Sequence, residues 1–252
     1  MSDFDRNVAA RGGFADRTAA VDAGLRAYML RVYNYMAAAV ALTGVVAYAT
    51  FNAAVVMDAS GKITALTPFG QTIFSGPLSI VLLLGTLGLV FFISFRINRL
   101  QYTTAMTLFM LYAALLGVTL SSIFLAYTGA SVTRVFFISA ASFGALSLYG
   151  YTTQCDLTAM GSFLMMGLFG LILASLVNLI WPSGALSFAI SVIGVGVFAG
   201  LTAWDTQRIK EMYDSMDDDG TMGRKAIMGA LSLYLDFINL FLMLLRLVGD
   251  RR

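Results

Sequence analysis

Runs of mostly apolar residues recur along almost the whole chain, and most of them end at a charge, a proline or a glycine-containing turn. A helix of about 20 residues is needed to cross the hydrocarbon core of a bilayer, which is about 30 Å thick. The pattern therefore predicts an all-α integral membrane protein with seven transmembrane helices, whose spans are expected near 32–56, 77–95, 104–126, 134–152, 159–181, 185–204 and 226–248.

The composition narrows the chemistry that this chain can perform. Histidine is absent and Cys155 is the only cysteine, which excludes Ser–His–Asp and Cys–His catalysis, histidine zinc sites and an internal disulfide. The net charge is +2, with no dense basic tract, so nothing indicates nucleic-acid binding. Without histidine, a response to pH near neutrality would come most readily from carboxylates in unusual surroundings.

Lysine and arginine are distributed unequally between the two sides of the predicted spans. Eleven fall in the N-terminal region and the loops on its side, and five fall on the other side. Because positive residues accumulate in the cytoplasm, we expect a cytoplasmic N-terminal tail over residues 1–26 and a membrane domain over residues 27–252. The C-terminus would then lie outside, unless the last apolar run is re-entrant and returns it to the cytoplasm.

Asp236 lies in the middle of the last apolar run, in the segment LSLYLDFINLF. An ionised aspartate at the centre of a spanning helix costs about 2.5–3.5 kcal/mol on insertion scales. It could be a structural carboxylate that ties helices together, but ionisable groups inside a membrane more often belong to an ion, proton or substrate site. Asp236 is therefore a candidate functional residue.

Asp205 ends the sixth run, where a charge at the membrane interface needs no special role. The spacing of the runs gives it more weight, because the turn-like segment 217–220 lies near the midpoint between Asp205 and Asp236. A helical hairpin that turns there would place both aspartates at a similar depth. We therefore expect their carboxylates to face each other.

The last run also has a polar face. Ser232, Asp236, Asn239 and Arg246 share one side of a helix with Met243. This side is expected to look inward, which makes Ser232, Asn239 and Arg246 candidates for the face of a pore.

Paired aspartates suggest a chemistry of protons and hard cations. Two neighbouring carboxylates tend to share one proton, so such a pair changes its charge with pH and could gate a pathway. Carboxylate oxygens also suit Ca²⁺, although two aspartates supply only part of its coordination shell. Asp205 and Asp236 are thus expected to act as a pH sensor and gate and to form a candidate calcium site. Arg96 and Arg99, predicted on the same side, could latch this pair or could simply snorkel to the interface.

The segment ALSLYLDFINLFLMLLRLVG at 230–249 closely resembles the last helix of the Bax inhibitor-1 family, also called the transmembrane Bax inhibitor motif family, which has bacterial YccA-like and YetJ-like members. The segment AWDTQRIK at 203–210 resembles the preceding aspartate motif of that family. Two further segments, FFISFRINRL at 91–100 and YGYTTQCDLTAMGSF at 149–163, are similar to other parts of it. The resemblance covers the chain beyond its N-terminal tail.

This resemblance implies a fold of seven helices with the last helix at its centre. It also implies a pH-sensitive calcium leak in the inner (plasma) membrane of a bacterium, controlled by a di-aspartyl pair that would here be Asp205 and Asp236. In the family an arginine of the second helix acts as a latch on the closed state, and Arg96 matches it best. The partners expected are the lipid bilayer, calcium ions and other membrane proteins, with no cofactor.

Two alternatives to a calcium pathway remain at this stage. Paired aspartates also occur in intramembrane proteases, where they activate water. Those enzymes resemble one another in a Gly-x-Gly-Asp segment, whereas Asp236 follows Leu-Tyr-Leu, which disfavours an enzyme. The protein could instead be a regulator that acts through protein partners, such as a modulator of a membrane protease.

Overall fold

The computed structural model describes residues 3–58 and 62–252, together with the side chains of residues 21–58 and 62–252. Most of this backbone is helical, because a segment that crosses a bilayer must satisfy its N–H and C=O groups internally. The elements are α1 (Asp3–Ala54), β1 (Val55–Met57), β2 (Ile63–Leu66), α2 (Pro68–Phe74), α3 (Pro77–Arg96), a 3₁₀ turn (Ile97–Arg99), α4 (Tyr102–Leu120), α5 (Ile123–Ala126), α6 (Gly129–Thr152), α7 (Thr158–Ile180), α8 (Gly184–Glu211) and α9 (Asp219–Val248).

Seven helical segments in the described part of the chain are long and apolar enough to cross a membrane, which confirms the predicted architecture of an all-α multi-pass membrane protein. Several helices extend beyond the predicted spans. The first helix begins at Asp3, inside the predicted tail, and α8 continues to Glu211 rather than ending at residue 204. The difference arises because an apolar run marks only the part of a helix that lies in hydrocarbon.

Helix α9 lies at the centre of the bundle. It packs against α8, α1, α6 and α4, and side chains along its middle, such as Leu233 and Tyr234, are fully buried. Thirty residues at about 1.5 Å each give a length of about 45 Å, enough to cross the bilayer. The last helix is therefore central, as the family resemblance implies, and it is one continuous helix.

A buried hydroxyl cluster fixes α9 against α1 and α4. The Thr43 hydroxyl lies 2.9 Å from the carbonyl oxygens of Ala39 and Ala113 and 2.7 Å from the Tyr234 hydroxyl. Since Thr43 has one proton and the carbonyls can only accept, Tyr234 donates to Thr43. The Tyr234 ring also meets Phe109 edge-on, with ring centroids 5.8 Å apart. These contacts set the rotation of α9 two residues before Asp236.

The turn between α8 and α9 spans residues 212–218, so it overlaps the expected turn at 217–220 only in its last two residues. Asp218 caps α9, because its carboxylate accepts hydrogen bonds from the Thr221 N–H at 3.1 Å and from the Thr221 hydroxyl at 2.5 Å. The side chain of Lys225 donates to Asp217 at 2.6 Å, which ties the turn to the second turn of the helix. The cap gives α9 a defined starting point and so supports its register against α8.

The cap predicts a dependence of stability on pH. The hydrogen bonds from Thr221 hold the pKa of Asp218 below its usual range. A carboxyl group whose pKa is lower in the folded state stabilises the fold above its unfolded pKa of about 3.9, and this contribution disappears as the pH falls through the folded pKa. We expect Asp218→Ala to lower the melting temperature in detergent at neutral pH, and the difference from wild type to vanish in acid.

The control is Asp219→Ala, which removes the same charge from the adjacent exposed position without removing the capping carboxylate. A difference of equal size and equal pH dependence in both variants would show that the loss of charge, rather than the cap, is responsible.

Candidate functional site

The carboxyl groups of Asp205 in α8 and Asp236 in α9 lie within hydrogen-bonding reach of each other. Both are well shielded, with Asp236 only 6% exposed and the side chain of Asp205 13% exposed. A carboxylate can only accept, so a hydrogen bond between two carboxyl groups requires a proton on one of them. This placement allows the two carboxyl groups to hold one proton between them.

Asp236 has few compensating contacts. Its buried Oδ2 accepts no hydrogen bond from the described residues, and no described basic side chain forms an ion pair with Asp236. An ionised carboxylate in this position would be poorly compensated, since buried charges need a counterion or several donors. A proton on one of the two carboxyl groups would therefore lower the cost of burying the pair.

The basic residue beside the pair is Arg208, one turn along α8 from Asp205. Its Nη1 lies 3.6 Å from Asp205 Oδ1, and its guanidinium stacks over the ring of Trp204 at 5.4 Å. The arginine side chain is 49% exposed, so solvent weakens the ion pair. Sequence reasoning missed this arginine, although its i, i+3 spacing from Asp205 was a signal that could have identified it.

The pair forms part of the wall of a cleft that runs between α3 and α7 and has a volume of about 810 Å³. Helices α8 and α9 form the remaining wall. Most of the lining side chains are apolar. Apart from Ser94 and Ser175, the polar ones come from α8 and α9, and these are Asp205, Arg208, Ser232, Asp236 and Asn239. Ionisable side chains in the interior of a membrane-spanning bundle commonly belong to an ion, proton or substrate site.

The predicted site residues separate into two groups. Ser232 and Asn239 lie in the cleft with Asp236, as expected from their shared helix face. Arg246 is exposed near the far end of α9 and does not line the cleft. Arg96 is also exposed, and among the described residues it forms no ion pair with either aspartate. Its role as a latch stays a prediction.

The donor set could hold a hard cation only loosely. Among the described residues, no group of three or more His, Cys, Asp or Glu side chains could hold a metal ion. Two aspartates with the nearby Ser232 hydroxyl and Asn239 amide provide at most six oxygen atoms, the lower end of the 6–8 that Ca²⁺ takes, and only if both carboxylates bind through both oxygens. With fewer of these oxygens in contact, water would supply the remaining ligands.

The sequence profile of the family described as "Inhibitor of apoptosis-promoting Bax1" matches residues 25–252, which include Arg96 and both aspartates. The chain belongs to the Bax inhibitor-1 family. Among its relatives in this family, a protein of Rickettsia prowazekii is 52% identical over 92% of both chains. The inner membrane protein YbhL of Escherichia coli is 47% identical over 91% of this chain and 94% of its own. The Bax inhibitor-1 domain therefore spans nearly all of the protein and includes the complete α8–α9 hairpin.

Proposed function

We propose that this protein is a pH-sensitive pathway for the leak of Ca²⁺ across the bacterial inner membrane, gated by Asp205 and Asp236. The observation that carries the proposal is the approach of two shielded carboxyl groups to within hydrogen-bonding reach in the interior of an apolar helix bundle. A structural tie between α8 and α9 could be made at lower cost by neutral side chains, because burying two acidic groups is expensive.

The shared proton provides a gate. While one proton is held between the carboxyl groups, α8 and α9 are joined and the pair carries one negative charge instead of two. When the proton leaves, two like charges in a medium of low dielectric repel each other, and both carboxylates become available to Ca²⁺. Proton loss therefore loosens the hairpin and at the same time creates the cation site.

The cleft provides a route to that gate. Its polar side chains begin at Arg208 and extend along α9 through Ser232 and Asp236 to Asn239. Ser232 and Asn239 are seven residues apart on one helix face, a separation of about 10 Å along the axis. The pair lies within this stretch, so opening the hairpin would connect oxygen ligands on both sides of it.

Purified protein in liposomes that contain a trapped calcium indicator tests the proposal. We expect Ca²⁺ entry to exceed that of protein-free liposomes, to be slow in acid and to rise as the pH increases. Entry no faster than in protein-free liposomes at every pH, with the protein shown to be folded by circular dichroism, would contradict the proposed leak.

The position of Arg208 makes a separate prediction. Arg208 competes with Ca²⁺ for Asp205, so Arg208→Gln is expected to increase Ca²⁺ flux at a fixed alkaline pH. A half-exposed ion pair contributes up to about 1 kcal/mol, which corresponds to an increase of about two- to fivefold. Flux in liposomes measures the effect.

The matched variant is Arg96→Gln, which removes an exposed arginine that makes no ion pair with the aspartates. We expect it to leave the flux near the wild-type value. An increase in Arg96→Gln without one in Arg208→Gln would contradict this assignment and would support the latch that the family resemblance implies.

A further inference from the structure

A second groove lies on another side of the bundle, between α1 and α6, and has a volume of about 600 Å³. Helices α1 and α6 each pack against α8 and α9 rather than against each other along their length. In the groove they are joined by a hydrogen bond of 2.6 Å between the hydroxyl groups of Tyr33 and Ser147. The walls are mainly apolar and include Met29, Leu30 and Phe143.

The groove is open because α6 has a glycine in its wall. A Cβ atom at Gly144 would meet no other atom within 4 Å. Gly150, nearly two turns further along α6, is different, because a Cβ there would overlap the backbone carbonyl of Ala203. The glycine at 144 is therefore not required for helix packing, and its missing side chain leaves a slot that faces the bilayer. Apolar walls exclude water, so an acyl chain is the group in a membrane that fits this space.

Arg26 is the charged side chain among the described residues that line the groove. Lys210 is not a lining residue, but its Nζ is held next to the groove, 3.0 Å from the carbonyl oxygen of Tyr151, which does line it. Among the described residues no acidic side chain lines the groove, and Asp22, one turn before Arg26, is not part of it. Basic pockets between transmembrane helices are recognition sites for anionic headgroups.

We propose that the α1–α6 groove is a binding site for an anionic phospholipid, with the phosphate beside Arg26 and one acyl chain in the slot beside Gly144. The size of the groove matches this occupant. From Arg26 to Tyr33, α1 rises about 10 Å, which accommodates the headgroup end of a chain within one leaflet. The Tyr33–Ser147 hydrogen bond closes the deep side of the groove and keeps the chain away from the bundle interior.

Native mass spectrometry of the full-length protein tests the site, with phosphatidylglycerol and phosphatidylcholine that carry identical acyl chains. We expect the wild type to retain phosphatidylglycerol in preference to phosphatidylcholine. Since one basic residue near a membrane surface contributes an attraction worth about a fivefold change in affinity, Arg26→Gln should reduce the retention of phosphatidylglycerol about fivefold. Gly144→Leu, which fills the slot, should reduce the retention of both lipids.

Two controls separate this site from general effects. Arg99→Gln removes an exposed arginine outside the groove, and Gly170→Leu adds a side chain on α7 where a Cβ also meets no atom within 4 Å. Both should retain lipid as the wild type does. Equal retention of the two lipids by the wild type, an equal loss in Arg26→Gln and Arg99→Gln, or full retention in Gly144→Leu would each overturn the proposal. Arg26→Gln, at an exposed position, keeps the test valid if Gly144→Leu does not fold.

Discussion

Replacement of Asp236 by asparagine is expected to abolish the pH dependence of Ca²⁺ flux, and Asp205→Asn is expected to do the same. Asparagine keeps the size of the side chain but cannot lose a proton near neutral pH. Either substitution leaves a single carboxyl group, so no proton is shared and no second charge appears as the pH rises. The hairpin then lacks both the repulsion that opens it and one of its two carboxylate ligands for Ca²⁺.

The expected size of this effect is large. Below the midpoint of a single-proton titration, the deprotonated fraction changes about tenfold per pH unit, and the wild-type flux should follow it. In the two variants the flux should stay low and nearly constant over the same range. Calcium entry into liposomes, measured from mildly acidic to mildly alkaline pH, gives both profiles.

Asp250→Asn is the control for this experiment. Asp250 is an exposed aspartate that pairs with Arg134 at the opposite end of the bundle, so its removal should leave the pH profile unchanged. If Asp236→Asn and Asp205→Asn both kept the wild-type pH dependence of Ca²⁺ flux, the di-aspartyl gate would be ruled out, even if the protein conducted Ca²⁺.

The second large effect is expected at Gly150, where α6 and α8 make their close approach. A Cβ at this position would overlap the backbone carbonyl of Ala203, two residues before Asp205. Backbone cannot rotate away as a side chain can, so the helices must separate. Overpacking of this kind costs about 1–3 kcal/mol, and Gly150→Ala should therefore lower the melting temperature in detergent and weaken the neighbouring hydrogen bond between Ser147 and Thr206.

Gly144→Ala is the matched variant on the same helix, because its added Cβ enters open space. It should melt at the wild-type temperature or slightly above, since alanine favours the helix over glycine. Equal destabilisation of the two variants would mean that the loss of glycine from α6, rather than the contact with Ala203, determines the stability.

The two aspartates differ in how far the sequence alone identifies them. Asp236 is evident because a charge in the middle of an apolar run is costly and therefore rare. Asp205 lies at the end of its apolar run, where charges are common, and only the spacing about the expected turn and the family resemblance placed it opposite Asp236. That spacing gives equal depth only if both aspartates are equally far from a turn at 217–220, but in the structure α8 ends at residue 211 and α9 begins at residue 219. Asp236 therefore lies further from the turn than Asp205, and the spacing alone does not account for their approach.

The hydrophobic pattern does not indicate which arginine lies beside the two aspartates. From Leu78 to Phe95, helix α3 contains only apolar residues, glycines and small polar residues, and its apolar residues lie on every side. Its sequence therefore does not indicate which side faces the bundle or in which direction Arg96 points. Arg208 shares a helix with Asp205 and needs no tertiary information, only attention to the i, i+3 spacing. Arg208 can thus be identified from the sequence alone, whereas the direction of Arg96 requires the rotation of α3 in the structure.

The positions of the cleft and of the α1–α6 groove depend on which helices do not pack against each other. Membrane helices have similar apolar surfaces toward lipid and toward each other, so hydrophobic periodicity does not indicate neighbours. The gap between α3 and α7, and the gap between α1 and α6, follow from the way in which α8 and α9 occupy the middle of the bundle. The centrality of α9 was implied by resemblance, but these openings required the structure.

Infrared difference spectroscopy on the addition of Ca²⁺ tests most directly whether Asp205 and Asp236 share a proton that Ca²⁺ displaces. The reconstituted wild type, held at a pH where its flux is half maximal, should lose the band of one protonated carboxyl group when Ca²⁺ is added, and Asp205→Asn and Asp236→Asn should both lack this change. The same band change in either asparagine variant, or no change in the wild type while Ca²⁺ flux is present, would contradict a shared proton as the gate.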